Sequence, residues 1–132
     1  MGTPAGNPPT AADIEEIAAQ AFETIPAMLR KHATNILIYV EDFPNGAILR
    51  EMALESPYDL LGLYQGVPIS DRSISDVHHD FDMITLYRRP LLDYWLEKNE
   101  RLEDVVRHVL IHEVGHHFGF SDDDMDNIED CG

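Results

Sequence analysis

Leu102, Val105, Val106, Val109, Leu110 and Val114 recur at intervals of three and four, and this stripe constrains the fold more than any other feature of the chain. Residues so spaced fall on one side of an α-helix of about 3.6 residues per turn. The pattern predicts the longest helix of the protein, ending near Gly119. A helix with one apolar face must bury it against another layer, so the rest of the chain has to supply that layer. A length of 132 residues fits one domain, which buries roughly two-thirds of the surface of the unfolded chain.

The upstream segments provide the partner layer. Ile14, Ile17, Ala18, Ala21, Phe22 and Ile25 repeat at helical spacing from Ala12 onward, with Thr10 or Asp13 available as N-cap. Pro26 breaks that helix and leaves a short second turn through Met28 and Leu29. Residues 36–40 are β-branched and aromatic and stop at Phe43-Pro44-Asn45-Gly46, which reads as a turn. Residues 60–64, between Pro57 and Gly66, and residues 83–87, between Asp80-Phe81-Asp82 and Pro90, predict two more strands. Pro90 suits the first turn of a helix containing Leu91, Leu92, Trp95 and Leu96. The expected order is helix, three short strands, then two helices. Residues 1–11, rich in Pro, Gly, Thr and Asn, read as a flexible leader, residues 12–126 as the domain, and residues 127–132 as an acidic tail.

A formal charge of −16 argues against a nucleic-acid partner, because phosphate binding needs a basic face that releases counterions. No apolar run approaches the ~20 residues of a membrane span, and residues 1–10 lack the basic start and apolar core of a signal peptide. A cytoplasmic location without membrane attachment is the expectation. The lone Cys131 allows no intrachain disulfide, which fits a reducing compartment.

The predicted last helix carries His112-Glu113-Val114-Gly115-His116, followed by Gly119 and Asp122, the string HExxHxxGxxD. Residues four apart lie one turn on and about 40° round a helix, so both imidazoles can face one ion. Neutral imidazole nitrogen suits zinc. Glu113 is rotated by about 100° from His112, within reach of a zinc-bound water without having to ligate the ion. Gly119 can end the helix in the left-handed conformation and reverse the chain. Asp122 can then return as a third ligand, leaving one position open, the arrangement of catalytic rather than structural zinc.

The string resembles the zincin metallopeptidases, and its Gly-x-x-Asp extension is similar to metzincin-like sites with Asp as third ligand. Together with Leu61-Gly62-Leu63-Tyr64-Gln65-Gly66-Val67-Pro68 and Ile84-Thr85-Leu86-Tyr87-Arg88-Arg89-Pro90, it resembles the small bacterial minimal zincins over residues 12–126. The resemblance implies an α+β fold: a small mixed sheet of three to four strands packed with helices, and an active-site helix near the C-terminus. It also implies zinc held by His112, His116 and Asp122, with Glu113 as the catalytic carboxylate. Larger zincins close their cleft with a further subdomain after the zinc helix. Ten residues follow Asp122 here, so a protein partner completing the cleft is one expectation. Met125 lies too near Asp122 for the methionine turn of metzincins, and Glu129 is an alternative third ligand.

Two functions stay open on this reading: a zinc peptidase acting on a peptide or protein, and a zinc-binding regulatory or interaction module with little turnover. Glu113 favours the first, since a site that only binds metal does not need it. His117, Tyr87 and Tyr64 are candidates for stabilising an oxyanion, against ordinary packing roles. His108, one turn before His112, is either a supporting partner or a surface residue. His78 and His79 read as a solvated loop or a second metal site. The pair Arg88-Arg89 reads as a polar strand end, or as a holder for a carboxylate. A peptide substrate could pair with a sheet edge, for which residues 83–88 are the candidate.

Overall fold

In a computed structural model of the chain the described residues are 8–31, 36–66 and 82–117. Helix α1 (Ala11–Phe22) starts at a capping box in which Thr10 and Asp13 act together. The Asp13 amide donates to the Thr10 hydroxyl at 3.1 Å, and the Thr10 amide donates to the Asp13 carboxylate at 2.8 Å. This satisfies two of the amides that a helix start leaves without intrahelical acceptors. Pro26 ends the run, and the short α2 (Ala27–Arg30) follows. Ile14, Ala18 and Ala21 are buried where α1 packs on the last helix and on the first strand.

Strand β1 (Ile36–Glu41) alternates half-buried and exposed residues, as a strand with one covered face must. The segment read as a turn at Pro44-Asn45-Gly46 instead begins a helix, α3 (Gly46–Glu51), because the Asn45 side chain caps it by accepting from the Ile48 amide at 2.9 Å. A 3-10 turn at Pro57–Asp59, capped by Ser56, precedes the second strand, and β2 covers Gly62–Gln65 in place of the expected residues 60–64. Strand β3 (Asp82–Tyr87) runs directly into α4 (Arg88–Glu97), with Pro90 in the first turn as expected.

The sheet order is β1-β3-β2, with β1 parallel and β2 antiparallel to β3. The three-stranded mixed sheet packed with helices is the α+β arrangement that the sequence led us to expect. One expectation is overturned: residues 83–88 do not form an edge. β3 is paired on both sides and buried at every position except Met83. Its near-continuous run of Ile84, Thr85, Leu86 and Tyr87 is the pattern of a strand covered on both faces.

Arg88 and Arg89 likewise do not end a strand; they open α4. The Arg88 guanidinium donates to the Pro9 carbonyl at 2.7 Å and to the Asp42 carboxylate at 3.3 Å. It thereby ties the start of α1 to the end of β1. Arg89 stands over the Phe43 ring, 5.7 Å from its centroid.

Helix α5 (Leu102–His117) is the long helix predicted from the apolar stripe. Leu102, Val105, Val106, Val109, Leu110 and Val114 are all buried, joining Ile14, Ala18, Ile84, Leu86 and Leu91 in one core. Among the described residues no helix is long and apolar enough to cross a membrane.

Candidate metal centre

The position of α5 is set by how closely it approaches the sheet. A Cβ at Gly62 of β2 would stand 2.9 Å from Cγ1 of Val109 and 3.3 Å from Cδ2 of Leu86. Only glycine lets the strand and the helix meet at this distance. Val109 lies one turn before Glu113, so this contact fixes the height of the polar end of α5 over the sheet.

His112 and His116 follow on successive turns, with ring centroids 5.9 Å apart and ring planes at 70°. A metal bonded to an imidazole nitrogen at roughly 2.0–2.1 Å stands about 3.2 Å from the ring centroid, so centroids up to about 6.4 Å apart can share one ion. The pair therefore fits a single zinc ion by spacing and by donor type. Both rings are half-buried, and Nδ1 of His112 is fully shielded from solvent.

Glu113, also half-buried, lies on the sheet-facing side of α5. Positions 109 and 106 are one and two turns back on that side. Its charge reaches Tyr87 at the end of β3. The Tyr87 hydroxyl is pushed up to about 12, first by burial and then by the charges of Glu41 and Glu113. Tyr87 is 1 % exposed. A phenol in that state stays protonated at neutral pH.

Glu41 was not singled out by its sequence context. It arrives because β1 and β3 are parallel and in register, with Glu41 opposite Tyr87. Parallel pairing is not readable from either strand alone. Asp82, at the start of β3, is a second missed carboxylate; it is 1 % exposed, and a Cβ on Gly66 would collide with it.

Of the residues expected at the site, His112, Glu113 and His116 lie on the last two turns of α5, and the charge of Glu113 is felt at Tyr87. Asp122, Glu129, Gly119 and Met125 lie outside the described residues, as do His78, His79 and Cys131. Among the described residues, no group of three or more His, Cys, Asp or Glu side chains converges on one point.

No curated protein matches the chain. A family profile does: zincin-like metallopeptidase, over residues 33–131. That span takes in all three strands, α4, α5 and the whole HExxHxxGxxD string. The protein belongs to the zincin-like metallopeptidase family.

Proposed function

We propose that the chain is a zinc-dependent peptidase in which His112, His116 and Asp122 hold the metal and Glu113 is the general base. The observation that carries this reading is the His112–His116 spacing of 5.9 Å, with Glu113 next to His112 on the same helix. Zinc in this place supplies Lewis acidity, polarising the scissile carbonyl and acidifying a water towards pKa about 7. The Glu113 carboxylate accepts the proton of the attacking water and passes it to the leaving amine.

The substrate on this reading is an extended peptide or protein segment. β2 is a terminal strand of the described sheet and packs on α5. A peptide added along β2 by backbone hydrogen bonds would run beside the polar end of that helix. This moves the docking edge from residues 83–88 to Gly62–Gln65.

The test is digestion of a peptide library by zinc-loaded wild type and by Glu113→Ala. Cleavage by wild type, falling by at least about 100-fold in the variant while zinc content is unchanged, is the expected result. Equal, null digestion by two zinc-loaded proteins would remove the peptidase reading and leave a zinc-binding module.

A further inference from the structure

The metal-binding face of α5 extends one turn further back than the zinc pair needs. His108 and His112 have ring centroids 5.6 Å apart, at 45°, slightly closer than His112 and His116 at 5.9 Å. Both spacings lie inside the ~6.4 Å that two imidazoles sharing one ion allow. His108 and His116, eight residues apart, are separated by about 12 Å along the helix axis and cannot share an ion. The absence of any three-donor group among the described residues agrees with this. The three histidines are two overlapping pairs with His112 in common, and not one cluster.

We propose that His108 and His112 form a second seat for a divalent transition-metal ion, which excludes occupancy of the His112–His116 seat. The exclusion follows from His112 itself. Its Nδ1 is buried, so Nε2 is the nitrogen that an incoming ion reaches, and one nitrogen bonds one ion at a time. The two seats differ in setting. His108 is exposed, whereas His112 and His116 are half-buried, so the outer seat opens to solvent and the inner one faces the sheet. Imidazole donors at both seats select Zn2+, Co2+, Ni2+ or Cu2+ over Mg2+ and Ca2+. The outer seat lacks a counterpart to Asp122, the third ligand proposed for the inner one, and so holds its ion more weakly.

The exclusion rests on the zinc reading of His112 and His116, and the experiment separates the two. Metal-stripped full-length protein is titrated with Co2+ alone and followed by its visible absorption, in wild type, His108→Ala, His116→Ala and the double variant. Alanine is well tolerated in a helix, and neither histidine belongs to the buried core, so the fold is retained in each. Far-ultraviolet circular dichroism checks that it is. The expected result is one tight site in wild type and in His108→Ala. His116→Ala should keep a site weaker by more than about 100-fold, since loss of even a supporting partner costs 10–100-fold. The double variant should have none. Identical binding by His116→Ala and the double variant, with the wild-type site intact, would overturn the outer seat and leave the zinc reading standing. Wild-type affinity in His116→Ala would overturn the zinc reading instead.

Discussion

Replacing Gly62 by alanine tests how α5 is positioned. The added methyl would stand 2.9 Å from Cγ1 of Val109, whereas carbon atoms pack best at about 3.5–4.0 Å. Val109 cannot swing away, since a β-branched side chain in a helix is held to one rotamer. Leu86 Cδ2 at 3.3 Å and the Thr85 carbonyl at 3.4 Å close the other sides. The strand or the helix must therefore shift by a fraction of an ångström. Overpacking of this kind costs about 1–3 kcal/mol. Loss of glycine's freedom in the unfolded chain returns roughly 0.4–1 kcal/mol. The net expectation is destabilisation by about 1–2 kcal/mol, seen as a lower midpoint in urea with an unchanged slope. Val109→Ala alone should cost about 1–3 kcal/mol through lost burial and the space left behind. In the double variant the new methyl occupies that space, so the two costs should fall short of additivity by at least ~1 kcal/mol. Additivity to within about 0.5 kcal/mol, or a neutral Gly62→Ala, would refute the close-contact argument.

Tyr87 provides a pH test. Its folded-state pKa is raised to about 12 from 10.0, so the protonated form is favoured by folding, and that stability is lost as pH rises from about 10 through about 12. The loss should reach up to about 2–3 kcal/mol, and Tyr87→Phe should flatten the stability profile over that range. An unchanged profile in the variant would contradict it. Arg88→Ala removes a donor to the Pro9 carbonyl from a side chain that is 17 % exposed and should cost about 1–2 kcal/mol. Asp42→Ala, which breaks only the exposed side of the same ion pair, should cost at most about 0.5 kcal/mol; equal losses in urea unfolding would show that the ion pair, not the carbonyl contact, is what matters. Asn45→Ala should lower stability by about 0.5–2 kcal/mol if its cap is what starts α3.

What was legible in the sequence follows from which forces are local. α1 and α5 were readable because burial imposes a 3.6-residue period on their apolar positions. β1 was readable from its run of β-branched and aromatic residues. α3 was misread because Asn and Gly after Pro serve both tight turns and helix starts; the Asn45 side chain decides, and it acts over three residues within a six-residue helix. The place of β3 was misjudged although its continuous apolar run carried the signal: a strand buried on both faces does not alternate. The order of strands, and with it the meeting of Glu41 and Tyr87, depends on long-range pairing that no window of sequence contains. At the site, the His112–Glu113–His116 spacing was fully legible, because helix geometry alone turns it into a shared face. Tyr87 was one of three oxyanion candidates in the sequence, and only the sheet register set it opposite Glu41.

The central claim is that one end of α5 holds zinc through His112 and His116, with Glu113 left to handle protons. The most direct measurement is zinc bound per chain in metal-stripped, reconstituted protein, determined by elemental analysis for wild type, His112→Ala and Glu113→Ala. The account predicts one zinc per chain in wild type and in Glu113→Ala, and loss of the tight site in His112→Ala. Absence of zinc from reconstituted wild type, or full retention in His112→Ala, would contradict it.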